Sequence, residues 1–163
     1  MKMQLECVLM APVDSSKDEV LRVTGRVTTD LVLRREELAA METEEQKNLL
    51  IICGSGTPKE RIKSCRGVLL EKVLEKAPIL KEAHNDTKKM FIVATASDGH
   101  KVVFSWQEIF NTSVGDGVMI LTEKNGRPLD AENGWFDLLS AEDYFTGSRY
   151  VKGLRTIEVL LVQ

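Results

Sequence analysis

The sequence predicts a single α+β domain with a mixed β-sheet and short, scattered helices. Three observations lead there. Strand-like runs outnumber helical ones, and the helical runs are dispersed rather than alternating with strands as in βαβ units. The turn dipeptides Asp98-Gly99, Asn125-Gly126 and Asn133-Gly134 divide the C-terminal part into short apolar segments. The chain has 163 residues and neither repeats nor linkers, so one core accommodates residues 1–163, with 1–18 peripheral to it.

The elements follow in order. "EVLRVTGRV" (19–27) alternates apolar and polar residues, which predicts a half-buried strand turning at Gly25. "LVLRREELAAM" predicts a short helix from Arg34 with Leu38 and Met41 inward. "KNLLIICGSG" is a continuous apolar run closed by glycines, as expected of a strand buried on both faces. "GVLLEKVLEKA" places Val68, Leu69, Val73 and Leu74 at helical spacing and stops before Pro78. "KKMFIVATASDGHKVVFS" reads as a hairpin turning at Asp98-Gly99. "SWQEIF" reads as a helical turn whose capping box pairs Ser105 with Glu108. Val118 to Thr122, Trp135 to Leu139 and Thr156 to Val162 supply three further strands.

Composition excludes several classes. A net charge of −3 and the lack of any basic run disfavour nucleic acid as a partner. No segment approaches the roughly 20 apolar residues of a membrane span, and Glu6 and Pro12 interrupt any signal-peptide core. The chain as it stands therefore reads as cytoplasmic; the alternative is an exported mature form whose leader has been removed. Cys7, Cys53 and Cys65 form no C-x-x-C pair, which argues against a disulfide framework and a structural zinc site. His84 and His100 are too few for a histidine metal cluster, and no G-x-S-x-G elbow accompanies them.

Four stretches carry candidate chemistry. Gly54-Ser55-Gly56 follows a strand but lacks both the Lys-Ser/Thr pair of a phosphate loop and the third glycine of a dinucleotide fingerprint, so it reads as a structural turn. Cys53 is either a small buried hydrophobe or a thiolate, a soft ligand and nucleophile that a nearby cation would acidify. Asp98, Gly99 and His100 are explained by the hairpin turn, with His100 also a candidate polar group. "GSRYVKGLR" offers Arg149, Lys152 and Arg155, either as a solvated basic edge or as an oxyanion grip.

Together these stretches resemble the oxidoreductase molybdopterin-binding domain, the fold of sulfite oxidase and its bacterial relatives. The likeness rests on "LRVTGRV", "LVLRREELAAM", "LLIICGSG", "CRGVLLEKVLEKA", "ATASDGHKVVFSWQEI" and the run "VMILTEKNGRPLDAENGWFDLLSAEDYFTGSRYVKGLRTIEV", in family order from about residue 20 to residue 161. It implies an α+β mixed-sheet domain of the sulfite oxidase molybdopterin-binding type. It also implies a molybdopterin or molybdenum cofactor, with Cys53 as the thiolate ligand to the metal. Asp98, Gly99 and His100 would lie on a hairpin facing the pocket, and Arg149 and Lys152 would hold the phosphate or the edge of the pterin. The implied protein is a molybdenum-dependent oxidoreductase with a pterin or other anionic ligand and a redox partner protein. Asp137 stands where the family has an arginine, and Cys65 where an aromatic residue is usual. The alternative is a non-catalytic binding or interaction module that kept the fold and lost the metal. The first reading requires a reactive, partly exposed Cys53 facing a basic pocket; the second requires a buried Cys53 and a pocket filled by Trp135 or Phe136.

Overall fold

The structure is a computed structural model that describes residues 19–163; Cys7 and the expected peripheral placement of 1–18 lie outside the described residues. In chain order the elements are β1 (Val20–Gly25), β2 (Leu31–Arg34), α1 (Arg35–Ala39), β3 (Glu44–Ile52), β4 (Pro58–Leu69), α2 (Leu70–Lys76) and β5 (Met90–Ala96). There follow β6 (Lys101–Ser105), α3 (Trp106–Asn111), β7 (Val118–Lys124), β8 (Arg127–Pro128), β9 (Asp137–Ser140), β10 (Val151–Lys152) and β11 (Leu154–Leu161). No helix among the described residues is long and apolar enough to cross a membrane.

The strands form two sheets rather than one. The first has the order β2-β1-β11-β5-β6 and is mixed, because β1 runs parallel to β11 while the other pairs are antiparallel. The second, β10-β9-β7-β4-β3, is antiparallel, with β8 attached to β7. Alternation along β5 buries Met90, Ile92, Ala94 and Ala96, and these meet Val68, Ile120, Phe136 and Leu138 of the second sheet in the main core. A smaller cluster of Ile62, Cys65, Met119, Leu121 and Leu139 covers the other face of the second sheet.

The hairpin at Asp98-Gly99 and the capping box of Ser105 and Glu108 stand as expected. Two expectations do not. "LLIIC" was expected to be buried on both faces, yet β3 is an edge strand in which only Ile51 is buried. The strands buried on both faces are β7, whose residues 118–122 are all buried, and β9, buried from Asp137 to Ser140. Likewise, the predicted helix from Gly67 begins only at Leu70, because β4 runs through Leu69. Exposed Lys59, Arg61, Lys63 and Arg66 break up the apolar signal of β4, and the partner that carries its last residues into the core, β7, is distant in sequence. Gly67 is required there: a side chain would run into the Ile120 carbonyl of β7.

Candidate functional site

The site is built on the β3–β4 hairpin. Only Cys65–Leu69 of β4 pairs with β7, so Leu49–Ile52 against Pro58–Ile62 forms an arm with no strand on its β4 flank. Cys53–Thr57 is the arm's tip. Its turn is closed by the Cys53 N–H donating to the Thr57 carbonyl at 3.0 Å and the Gly56 N–H donating to the Cys53 carbonyl at 2.8 Å. Gly56 takes φ +88°, the left-handed region where glycine is unstrained. The glycines thus serve a structural turn.

A strap holds the arm from the other edge. The Thr146 hydroxyl donates to the Leu50 carbonyl at 2.7 Å and accepts from the Ile52 N–H at 2.9 Å. The Gly147 N–H donates to the Ile52 carbonyl at 2.7 Å. These bonds occupy the edge groups of β3 just before Cys53.

Cys53 is partly exposed, and its Sγ lies 2.8 Å from the Ser55 hydroxyl, which in turn lies 3.1 Å from that of Thr57. The Ser55 hydroxyl, followed by the Ser55 backbone, stabilises the thiolate against the opposing effect of burial, and the thiol is lowered to about 7. Thiolate is therefore more available at Cys53 than at an ordinary cysteine.

Cys53 opens onto a cleft of about 330 Å³ whose walls include Lys59, Glu60, Asp98, His100, Gly147, Tyr150 and Lys152. Of the residues singled out from sequence, the structure brings Cys53, Asp98, His100 and Lys152 together here. The Asp98 carboxylate accepts from the His100 N–H at 2.9 Å and fixes the turn. Gly99 sits at its apex with φ +91° and shapes the turn rather than lining the cleft.

Arg149 is elsewhere. It donates to both oxygens of Asp143 at 2.9 and 2.7 Å, to Glu108 at 3.0 Å and to the Val103 carbonyl at 3.1 Å, over the ring of Phe104. It braces the strap against the open edge of β6 and the start of α3.

A second cleft, of about 400 Å³, lies where the two sheets meet. Ser97 at the end of β5, Lys124 of β7, Asn133, Gly134, Asp137 of β9, Gly153 and Arg155 line it, and Lys152 belongs to both clefts. Between them stands a charged network. The Tyr150 hydroxyl donates to Asp137 at 3.0 Å and accepts from Lys124 at 3.0 Å. Asp137 also accepts from the Gly153 N–H at 3.2 Å. Burial pushes the Asp137 carboxyl above its ordinary range, opposed by Gly153, Lys124 and Tyr150. Burial likewise pushes the Tyr150 phenol well up.

Sequence reasoning did not single out Lys124, Tyr150 or Glu60. The register of β7 and β9 sets Asp137 opposite Leu121, and Lys124, three residues further on, reaches back to 3.8 Å from the Asp137 carboxylate, a contact no local motif signals. Trp135 and Phe136 do not fill the Cys53 cleft: Phe136 is in the main core, and Trp135 is half-buried beneath Arg35 at 5.2 Å.

Fold and site define a β-rich ligand-binding domain with an acidified cysteine at the mouth of a partly basic cleft. More particularly, the chain belongs to the oxidoreductase molybdopterin binding domain family, whose model matches residues 9–162. Among solved structures, the sulfane dehydrogenase SoxCD from Paracoccus pantotrophus is similar, with a TM-score of 0.69 and 18% sequence identity. The match covers 92% of this chain and 40% of that chain, and it shows the mixed-sheet, short-helix fold of the sulfite oxidase type. No curated protein matches the chain.

Family membership points to a molybdopterin cofactor carrying molybdenum, and the donor set at Cys53 fits it. A thiolate available at neutral pH is a soft metal ligand, and Lys59 and Lys152 offer charge to an anionic group. Among the described residues no three His, Cys, Asp or Glu side chains gather around a metal, so the remaining ligands of a metal at Cys53 would come from the bound group.

Proposed function

We propose that this chain binds molybdopterin as an oxidoreductase domain, with Cys53 as the thiolate ligand to molybdenum and the two clefts holding the pterin and its anionic group. The observation that carries this reading is the partly exposed thiol, acidified to about 7, facing a cleft lined by two lysines. Bound there, the cofactor would supply oxygen-atom transfer, with an electron acceptor, a redox partner protein, completing the reaction. The chain's own residues would bind and orient. Ser55 would favour the thiolate form of Cys53, and Lys152 at the junction of the clefts would hold a phosphate oxygen. Asp98 and His100 present polar groups from a rigid turn, while the Thr146 strap fixes the arm on which the sulfur is mounted.

Asp137 favours a second reading, in which the clefts serve a binding module without metal. Its buried carboxylate lines the second cleft and opposes an anion there. One purification separates the two. Protein made in a host that synthesises molybdenum cofactor is expected to carry about one molybdenum and one fluorescent oxidised pterin per chain. Neither metal nor pterin in folded protein would give the second reading precedence.

A further inference from the structure

We propose that Glu60 is an internal counter-anion that competes with an oxyanion ligand for Lys152 and Lys124, and so sets how tightly the clefts hold a phosphate-type group. The inference rests on the reading above, that the clefts take an anionic ligand, and adds what limits its binding. Among the described residues Lys152 alone lines both clefts, so a ligand spanning them passes its ammonium group. Glu60 already occupies that group: Oε1 lies 3.2 Å from Lys152 Nζ, and Oε2 lies 4.0 Å from Lys124 Nζ. A phosphate oxygen drawn to either lysine would therefore meet the Glu60 carboxylate as a competitor.

The two lysines differ in exposure and in how they are held. Lys124 is 18% exposed and is held by Tyr150 at 3.0 Å and by Asp137 at 3.8 Å, whereas Lys152 is 63% exposed. An arriving oxyanion therefore recruits Lys152 and leaves Glu60 facing Lys124. Giving up a partly exposed ion pair costs little, and a like charge beside a phosphate adds repulsion that salt screens. Glu60 sits on the arm that carries Cys53, Lys124 on β7 and Lys152 on β10, so all three positions are fixed by strands.

Titration of the folded protein with inorganic phosphate at low ionic strength tests this, using wild type, Glu60→Gln, Glu60→Asp, Lys152→Ala and the Glu60→Gln/Lys152→Ala pair. Glu60→Gln is expected to bind phosphate about fivefold more tightly. Glu60→Asp, which keeps the charge, is expected to stay near wild type. The gain is expected to vanish on the Lys152→Ala background, because the competition is for that lysine. Equal or weaker phosphate binding in folded Glu60→Gln, or a gain that survives Lys152→Ala, overturns the proposal. Molybdenum and pterin content judges the underlying reading separately. A loaded wild-type chain whose phosphate affinity ignores Glu60 keeps that reading and discards this one.

Discussion

Ser55 decides whether Cys53 is a thiol or a thiolate at neutral pH, because its hydroxyl is the largest influence on the sulfur. The rate of Cys53 alkylation by iodoacetamide should therefore rise with a midpoint near pH 7. In Ser55→Ala the midpoint should move up toward an ordinary thiol at about 8.5; an unmoved midpoint contradicts the assignment. Arg149 gives the complementary residue-scale test. It is the stronger phosphate ligand by chemistry, yet its guanidinium is committed to Asp143, Glu108 and the Val103 carbonyl. Arg149→Met should lower unfolding free energy by about 2–3 kcal/mol, since it strands Asp143 at 13% exposure, while phosphate binding at Lys152 stays unchanged. Urea unfolding beside phosphate titration reads both effects. Sequence could nominate both cations in "GSRYVKGLR" but could not show which one faces a cleft, because that depends on partners 6 and 41 residues away.

At the scale of elements, the Cys53 arm depends on one hydroxyl that bonds the edge of β3 twice. Thr146→Val should cost about 1–2 kcal/mol, by leaving the Leu50 carbonyl and the Ile52 N–H unpaired by protein. Limited proteolysis should then cut near Gly54–Gly56 sooner than in wild type; unchanged cleavage would show that the strap does not fix the arm. Local signals made some elements legible. Asp98-Gly99 forces its hairpin, and Ser105 with Glu108 caps its helix, through contacts within a few residues. β4 was hidden because its exposed lysines and arginines leave no apolar run; the 53–57 turn pairs it with β3, and only its last five residues, Cys65–Leu69, also pair with the distant β7. "LLIIC" misled for the converse reason: an apolar run at a sheet edge, partly covered by the 141–150 loop, looks like a central strand until the sheet order is known.

For the whole molecule, the clefts exist because two sheets meet at the Gly153 crossing, where the Ser97 N–H bonds the Gly153 carbonyl at 2.9 Å and the Leu154 N–H bonds the Phe136 carbonyl at 2.7 Å. The order of motifs made the family visible, but the second cleft needed the ends of β5 and β7 brought to β9, β10 and β11, which sequence leaves far apart. Two buried carboxylates set opposing pH trends. Asp86, lowered mainly by the Ala83 and Glu82 N–H groups, contributes stability above its unfolded value that is lost as pH falls through the folded one. Asp137, raised by burial, contributes in the opposite sense: its share is full below the unfolded value and declines as pH rises. The stability gap between wild type and Asp86→Asn should therefore shrink from about pH 6 to about pH 3 in denaturant unfolding; a gap independent of pH contradicts the assignment. The central claim is that Cys53 attaches a molybdenum-bearing pterin. The most direct test compares wild type and Cys53→Ala, purified side by side from a cofactor-producing host, for molybdenum per chain. About one molybdenum per chain is expected in wild type and near none in the variant; equal metal in both, or none in either, contradicts ligation by Cys53.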